Sequence, residues 1–333
     1  MDSDILLRLE PWLRERVGAT GPLEASLIAG GRSNQTYRVT DAAGSSWALR
    51  RPPDGPRVAS AHDVLREARI ISALAHERDV PVPQVYGTDG GNVLGEPFFV
   101  MEFVEGTVLR GRRQSSQLSE PQRASSARSL IEVLAAIHET DLAGTGLDDL
   151  APSTGYLTRQ LDRWYGSYNR VRNRMVPDVD SVHQWLLENL PPISAVCLVH
   201  GDFRIDNAVV NDDGIVIAVL DWELATLGDP LTDLALTLAY WSGEGDEAVG
   251  PTALPGFPDR EGVIRHYSEV SGRDLSGLRW HQVFAYWKLA CAAEQIAARY
   301  AGGGGGGDRS GLDDIRSHTP RFAQRALHLA LER

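Results

Sequence analysis

The residues best suited to chemistry lie between positions 199 and 223, where short apolar runs alternate with acids and an amide. Asp202 follows one apolar run, Asn207 comes five residues later, and Asp221 ends the next pair of apolar runs. Carboxylate and amide oxygens suit Mg²⁺, which takes few protein ligands and keeps positions for water and phosphate. A nearby carboxylate can accept the proton of an attacking hydroxyl during phosphoryl transfer. The pattern therefore predicts a magnesium-dependent phosphotransferase site.

A β-hairpin is the element that must position these side chains. Ala208–Asn211 and Ile215–Leu220 are apolar runs on either side of Asp212-Asp213-Gly214, which is a hairpin turn signal. Pairing of the two strands brings Asn207 roughly opposite Asp221, and cross-strand neighbours have Cβ atoms about 5 Å apart. Each acid or amide taken alone is more typical of a turn. The complete set in this order favours a catalytic loop followed by a metal loop.

HGDFRIDN followed by LDWELATLGDPLTDLA resembles the aminoglycoside phosphotransferase-like kinase family. The sequence looks most similar to the branch associated with acyl-CoA dehydrogenases, and the resemblance covers nearly the whole chain. It implies ATP and Mg²⁺ as cofactors, Asp202 as the catalytic base, and Asn207 and Asp221 as metal ligands. It also implies a structural role for His200 in holding the loop.

The N-terminal part supports the same interpretation. Gly30, Gly31 and Ser33 belong to a glycine-rich segment between two predicted strands, where backbone N–H groups are expected to contact ATP phosphates. A glycine hairpin turn explains these residues equally simply. Trp47-Ala48-Leu49-Arg50 aligns with the strand that ends in the ATP-binding lysine of kinases. Arg50 departs from that pattern, because arginine keeps the charge but not the compact shape of lysine.

Two further candidates for nucleotide binding follow in the chain. Glu67 shares a helix face with Val64 and Ile71, so we expect it to be buried and paired with Arg50. The alternative is a glutamate at the helix edge, in solvent. The segment FVMEFV resembles the strand and hinge that hold adenine, with the Glu102 carbonyl and the Val104 amide as candidates. The alternative is a plain buried strand.

Apolar periodicity predicts a small sheet with one important helix followed by a mostly helical part, and the resemblance implies that these form an α+β, bilobal protein-kinase-like fold. Residues 1–104 are expected to form a nucleotide-binding lobe with an N-terminal helix, a small antiparallel sheet and one key helix, Ser60–Leu74, that starts in a Ser60/Asp63 capping box. Residues 105–333 are expected to form a mostly helical catalytic and acceptor-binding lobe. Its helices are predicted at Pro121–Glu139, Tyr156–Arg174, Val182–Leu190, Pro230–Trp241, Glu261–Ser271, Trp280–Tyr300 and Pro320–Leu331.

Three local features of this second lobe bear on the site. Asp229-Pro230 is typical of a helix N-cap with proline in the first turn. Asp233 either braces the catalytic loop or is an ordinary first-turn acid. Gly302–Gly307 is six glycines in a row, and we expect a flexible surface loop because ordering such a run costs much entropy.

Composition excludes several classes of function. The net charge is -12, so the chain repels phosphodiester backbones and general nucleic-acid binding is not expected. The two cysteines, Cys197 and Cys291, form neither a disulfide framework nor a zinc motif. The N-terminus does not resemble a signal peptide, and no apolar run reaches the ~20 residues of a membrane span. A reducing cytoplasm is the expected location, and the oligomeric state stays open.

The sequence is least specific about the phosphate acceptor. Tyr156–Arg174 carries five arginines against one acid, Asp162; the arginines are Arg159, Arg163, Arg170, Arg172 and Arg174. Such a segment repels polycations and suits an anion, although a solvated basic face explains it as well. The resemblance favours a hydroxylated acid, either as its CoA thioester or as a related hydroxy acid. An aminoglycoside or macrolide antibiotic kinase is the alternative, and a non-catalytic nucleotide-binding regulator is the alternative from another class.

Overall fold

The computed structural model describes residues 3–28, 34–53, 63–152, 154–243, 250–301 and 312–332. Helix α1 (Ser3–Val17) precedes a five-stranded antiparallel sheet of order β1-β2-β3-β5-β4. The strands are β1 Glu24–Leu27, β2 Gln35–Thr40, β3 Ser46–Arg51, β4 Val85–Gly90 and β5 Pro97–Glu102. Helix α2 (Val64–Leu74) lies between β3 and β4 in the chain. The expected small sheet with one key helix is therefore present.

The two faces of this sheet have different partners because alternate side chains point to opposite sides of a strand. On the outer face, Phe98 packs edge-on against Trp12 of α1, with ring centroids 5.1 Å apart. On the inner face, Phe99 belongs to the main core together with α2 and the C-terminal helices. Arg50 of β3 pairs in register with Phe99 and lies on this inner side. The alternation therefore directs the predicted ATP-binding cation into the interior of the molecule.

The C-terminal part is mostly helical, as expected. Its helices are α3 Arg112–Ser115, α4 Glu120–His138, α5 Leu142–Thr145, α6 Tyr156–Val171, α7 Pro177–Glu188, α8 Pro230–Tyr240, α9 Arg260–Ser271, α10 Leu278–Ala301 and α11 Leu312–Leu331. Its strands are β6 Cys197–Val199, β7 Ala208–Val210, β8 Val216–Val219 and β9 Thr226–Gly228. β7 and β8 form the predicted hairpin, and β6 pairs antiparallel with β9. Among the described residues, no helix is both long and apolar enough to cross a membrane.

Several predicted helix boundaries are wrong. Helix α2 begins at Val64 rather than at Ser60, because Asp63 is itself the N-cap and accepts the Arg66 N–H at 2.9 Å. Ser60 lies outside the described residues. Helix α6 ends at Val171, since the next residue is extended, and α7 begins at Pro177, where proline suits the first turn.

Helix α11 begins at Leu312, so Pro320 lies inside it and does not start it. Proline removes the N–H that would bind the carbonyl four residues earlier, which belongs to Arg316. The guanidinium of Arg174 donates a hydrogen bond to that carbonyl instead. A side chain from a distant segment thus satisfies the backbone group that proline leaves without its helical partner.

Candidate active site

A cleft of about 2240 Å³ separates the inner face of the sheet from the C-terminal helices. Sites for one small molecule occupy about 300–1000 Å³, so this cleft has room for two ligands side by side. The predicted chemical residues Asp202, Asn207 and Asp221 all line it, as do Arg50 and Glu67 of the N-terminal part. The fold thus brings together residues that are up to 171 positions apart in the sequence.

The loop after β6 is held by a buried carboxylate. Asp233 is fully buried and accepts the backbone N–H groups of His200 and Gly201 at 2.6 and 2.8 Å. Of the two interpretations of Asp233, these contacts show that it braces the loop. Burial opposes ionisation of Asp233, but the hydrogen bond and charge of His138 outweigh it and lower the pKa. A stable negative charge therefore anchors the loop that presents Asp202.

Local backbone geometry explains two residue types of this loop. Gly201 has φ +82°, and a Cβ there would lie 2.7 Å from the Leu224 carbonyl oxygen, so only glycine fits without a shift. His200 Nδ1 accepts the Asp202 N–H at 3.2 Å, which leaves Nε2 to donate to the Leu220 carbonyl at 2.9 Å. His200 therefore ties the loop to the end of β8 and is structural, as expected.

Asn207 connects this loop to the hairpin. Its side-chain amide donates to the Asp202 backbone carbonyl at 2.9 Å and to the Asp202 carboxylate at 3.1 Å. The Leu220 N–H donates to the Asn207 backbone carbonyl at 2.8 Å, which places Asn207 beside the residue that precedes Asp221. Asp221, the next residue, is the only non-glycine residue with positive φ (67°) among those described. The strained backbone points to a functional constraint at this position.

The donor set of Asn207 and Asp221 fits a magnesium ion. Because the Asn207 nitrogen is used by Asp202, its amide oxygen is the atom left to face a ligand. Asp221 supplies a carboxylate that is 35% exposed to the cleft. Within the described ranges there is no group of three or more His, Cys, Asp or Glu that could hold a metal. An amide and one carboxylate match Mg²⁺, which keeps most of its shell for water and phosphate.

Arg50 lies at the centre of a buried charge cluster. Its Nε contacts Glu67 at 2.7 Å, its Nη2 contacts Asp221, and Glu223 lies 3.8 Å away. The expected Arg50–Glu67 pair is thus formed, with both side chains at least 93% buried since their relative exposures are 7% and 1%. Burial disfavours the charged guanidinium, but Glu67 and then Asp221 outweigh it and raise the Arg50 pKa. Asn34 donates a further bond to Glu67 at 3.4 Å.

The wall above this cluster is apolar. Glu102 and Val104 lie along it, at the end of β5 and in the segment that leads to the C-terminal part. Apolar side chains from the sheet, α2 and the hairpin also line the cleft: Ala48, Ile71, Met101, Val209 and Val219. A flat apolar base fits such a slot. Gly30, Gly31 and Ser33 lie outside the described residues, as does Gly302–Gly307.

The arginine-rich segment divides into two groups. Arg163 and Arg170 line the cleft. The other three bind protein groups: Arg159 the Pro152 carbonyl at 2.8 Å, Arg172 the Asp180 carboxylate at 3.2 Å, and Arg174 the Glu294 carboxylate at 3.5 Å. These three therefore have protein partners, and Arg170 also donates to the Ser167 hydroxyl at 2.7 Å. Arg163 and Arg170 are exposed side chains that line the cleft.

Sequence patterns missed two residues at this end of the cleft. Lys288 of α10 is 8% exposed and donates to the Gly201 carbonyl at 2.7 Å. Arg204 lies 3.2 Å from Asp206 and 4.6 Å from the centre of the Tyr240 ring. Arg204 stands inside the HGDFRIDN motif, so its position alone was a usable signal. Lys288 carried none, because α10 is buried along most of its length and shows no polar face.

Comparisons with known proteins agree with this geometry. The model of the phosphotransferase enzyme family matches residues 24–266. Acyl-CoA dehydrogenase family member 10 of Mus musculus is 33% identical over 305 residues, which is 87% of this chain and 28% of that protein. Acyl-CoA dehydrogenase family member 11 of Rattus norvegicus is 32% identical over 327 residues, 91% of this chain and 41% of that protein. The chain thus spans less than half the length of these relatives.

Solved structures show the same fold. A crystal structure of a candidate aminoglycoside phosphotransferase from Ralstonia eutropha superposes with a TM-score of 0.81 at 29% identity, covering 97% of each chain. An aminoglycoside phosphotransferase in complex with AMP-PNP and hygromycin B superposes with a TM-score of 0.65 at 18% identity, covering 98% of this chain and 99% of that one. The bilobal α+β fold is therefore confirmed.

Proposed function

The chain belongs to the phosphotransferase enzyme family, and we propose that it transfers a phosphoryl group from ATP to a hydroxyl of an anionic small molecule. A hydroxyacyl-CoA or a related hydroxy acid is the proposed acceptor class. The observation that carries the proposal is the convergence of Asp202, Asn207 and Asp221 on one cleft that has room for a nucleotide and an acceptor. Phosphoryl transfer needs mainly positioning and charge neutralisation, and these side chains supply both.

Each residue has a proposed role. Asp202 orients the acceptor hydroxyl and accepts its proton, since its carboxylate is fixed by the Asn207 amide and faces the cleft. Asn207 and Asp221 would hold Mg²⁺, which neutralises phosphate charge when bound. Residues 1–104 are proposed as the nucleotide-binding lobe and 105–333 as the catalytic and acceptor-binding lobe.

The nucleotide end of the cleft supports ATP as the donor. Arg50 is proposed to contact the phosphates, with Glu67 fixing its orientation at 2.7 Å. The Glu102 carbonyl and the Val104 N–H are proposed to bind the adenine edge, because they border the apolar slot. Backbone groups of Gly30, Gly31 and Ser33 are proposed to cover the phosphates, on sequence grounds alone.

The charge of the acceptor end supports an anion. Arg163, Arg170 and Lys288 line this part of the cleft, whereas the charge of Arg204 is compensated by Asp202 and Asp206 at 3.5 and 3.2 Å. A polycation such as an aminoglycoside would meet like charges there, which disfavours its binding. The similarity to acyl-CoA dehydrogenase family members supports an acyl-CoA acceptor, whereas the similarity to a candidate aminoglycoside phosphotransferase supports an antibiotic kinase as the second candidate.

ADP release separates these candidates. The protein is given Mg²⁺ and ATP with 4-hydroxypentanoyl-CoA or kanamycin in parallel, and Asp202→Asn serves as the inactive control. ADP that depends on the thioester supports the proposal, and ADP that depends on kanamycin alone supports the antibiotic kinase. A protein that binds Mg·ATP without turnover of either acceptor would contradict both acceptors, and loss of Mg·ATP binding would overturn the kinase assignment.

A further inference from the structure

We propose that Arg66, Arg163 and Lys288 form a binding subsite for an anionic group of the acceptor, on the wall of the cleft next to Asp202. The proposal rests on the phosphotransferase function proposed above and identifies the part of the protein that recognises the acceptor. The three cations come from α2, α6 and α10 and line the same cleft. Their contacts show a built group of positive charges without a carboxylate partner.

Lys288 is the buried member of the group. Its ammonium donates to the Gly201 carbonyl at 2.7 Å and lies 5.2 Å from the centre of the Trp164 ring. An ammonium has three donors, and the described contacts use one of them. Among the described residues, no carboxylate lies within 4.0 Å of this ammonium, although 8% exposure leaves it little water. The free donors can therefore bind an oxygen of a ligand in the cleft.

Trp164 connects Lys288 to Arg163. The guanidinium carbon of Arg163 lies 5.9 Å from the same indole ring that carries Lys288. The described part of the chain contains no carboxylate within ion-pair distance of Arg163. Two cations thus share one aromatic side chain, which attracts both through its π face but leaves their charges uncompensated.

Arg66 approaches from the N-terminal part of the molecule. Its Nη2 donates to the Ala225 carbonyl at 2.6 Å. Ala225 follows Leu224, and the Leu224 carbonyl oxygen lies close to Gly201. A Cβ added at Gly201 would be 2.7 Å from that oxygen. Arg66 and Lys288 therefore bind carbonyls of two chain segments that touch. An anion between them would contact both lobes of the fold.

The energetics of this group change with a bound anion. Burial lowers the pKa of Lys288 in spite of the opposing charges of Asp202 and Asp233, and the charge of Arg163 makes a smaller contribution in the same direction as burial. Burial also lowers the pKa of Arg66, which Asp63 opposes and Arg163 reinforces. Gathered like charges repel one another and are costly to desolvate. A ligand oxyanion would relieve both costs, so this region is better suited to a bound acceptor than to an empty cleft.

The position of the subsite limits the chemistry of the acceptor. Lys288 binds the residue directly before Asp202, so an anionic group held there lies close in space to a hydroxyl that contacts Asp202. Carboxylate and phosphate oxygens both match this set of donors. A hydroxy acid would supply a carboxylate, and a CoA thioester would supply phosphates. The test below separates these two sources.

Isothermal titration of two probes tests the subsite. The protein is saturated with Mg·AMP-PNP and titrated separately with 4-hydroxypentanoate and with CoA. We expect Lys288→Gln and Arg163→Gln to raise the dissociation constant of at least one probe about tenfold or more, the loss typical of a charge-assisted contact. Arg159→Gln is the matched control, because it removes the same charge one helical turn away on α6 and its guanidinium binds backbone carbonyls. It should change the constant less than about twofold.

Each outcome has one meaning. A higher dissociation constant of the carboxylate probe or of CoA in the two variants supports the subsite, and the probe affected identifies the anion that it binds. The proposal is overturned when neither probe binds the wild type, or when both variants bind them like the control. Unchanged AMP-PNP affinity and melting temperature show that the variants are folded. AMP-PNP binding and ADP release test the phosphotransferase function separately from the subsite. If AMP-PNP does not bind, titration of the two probes without nucleotide still tests the subsite.

Discussion

The two ends of the cleft each contain a buried cation, but they balance its charge differently. Arg50, at the proposed nucleotide end, is 7% exposed and has Glu67, Asp221 and Glu223 within 4.0 Å. Lys288, at the proposed acceptor end, is 8% exposed and has no carboxylate partner among the described residues. The Arg50 pKa is raised in spite of burial, whereas burial lowers the Lys288 pKa.

This difference indicates what each end requires from its ligand. The charge of Arg50 is compensated by carboxylates of the protein, so the geometry of this cation can persist without a ligand. Arg50 also uses an oxygen of Asp221, so the proposed metal ligand is partly satisfied before a metal binds. Lys288 lacks such compensation, and an anionic acceptor would supply it. The nucleotide end is thus preorganised by its own charges, and the acceptor end depends on a bound charge.

The largest expected effect is on transfer itself. Asp202→Asn keeps the shape of the side chain but removes the group proposed to accept the proton, so kcat should fall by about 10²–10⁴. The Asn207 side-chain amide donates a hydrogen bond to the Asp202 carboxylate, and the amide oxygen of an asparagine at this position can still accept that bond. ADP release measures kcat, and titration with Mg·AMP-PNP should give an affinity close to that of the wild type. Turnover near the wild-type rate would exclude Asp202 as the base.

The next largest effect concerns stability at the nucleotide end. Glu67→Gln leaves Arg50 without its most buried carboxylate partner, and removing one partner of a buried pair typically costs about 3–5 kcal/mol. Asp221 and Glu223 remain, so the lower part of this range is expected. Urea unfolding followed by circular dichroism measures the change. A loss below about 1 kcal/mol would mean that Asp221 and Glu223 alone neutralise Arg50, and the two ends would then differ less than the contacts indicate.

Metal binding tests the role of Asp221, which belongs to the same cluster, as a metal ligand. Asp221→Asn removes the charge of the proposed metal ligand, so the affinity for Mn²⁺ as a magnesium substitute should fall about tenfold or more. Electron paramagnetic resonance of free Mn²⁺ in the presence of AMP-PNP gives the constant without turnover. Glu223→Gln is the matched control, since Glu223 borders the same cluster 3.8 Å from Arg50 but is not a proposed ligand. Equal losses in both variants would indicate a general charge effect.

Local patterns predict several structural features of the proposed nucleotide end. The Asp212–Gly214 turn fixes the hairpin register, which brings Asn207 beside Leu220 and Asp221. The apolar stripe of α2 places Glu67 on its buried face, and the alternation of β3 directs Arg50 to the same side. Period and turn chemistry are readable over a few residues, so the faces on which Glu67 and Arg50 lie can be predicted, whereas the Arg50–Asp221 contact joins residues 171 positions apart.

The acceptor end could not be predicted in the same way, because its contacts join distant segments. Lys288 reaches Gly201 across 87 positions, and Arg174 satisfies the carbonyl opposite Pro320 across 142 positions. Local rules assign α10 as a helix but give no reason for one lysine to be buried in it. They also start a helix at Pro320, since they do not include a distant guanidinium. Long-range packing determines which of the α6 arginines reach the cleft.

The smallest expected effect is the change in unfolding free energy when Lys288, at the proposed acceptor end, is replaced. Lys288→Met removes a buried uncompensated charge, which stabilises, and a hydrogen bond to Gly201, which destabilises. The free energy of unfolding should change by less than about 1 kcal/mol at pH 7, in contrast to Glu67→Gln. A large loss would show that Lys288 is a structural anchor rather than a cation held for a ligand.

The pH dependence of that variant resolves the two opposing contributions. The folded pKa of Lys288 lies below its unfolded value of about 10.4, because burial disfavours the ammonium and Arg163 adds to this. As the pH rises through the folded pKa, the native state loses its proton first, so the unfolded state binds more protons and wild-type stability increases. Lys288→Met lacks this gain, so its stability relative to the wild type should decline between pH 7 and about pH 10. The difference between the unfolding free energies of the two proteins, measured by urea unfolding across this pH range, cancels the contributions of the titrating groups that they share. Parallel curves would mean that the ammonium is as well solvated in the native state as in the unfolded chain, and the contrast with Arg50 would disappear.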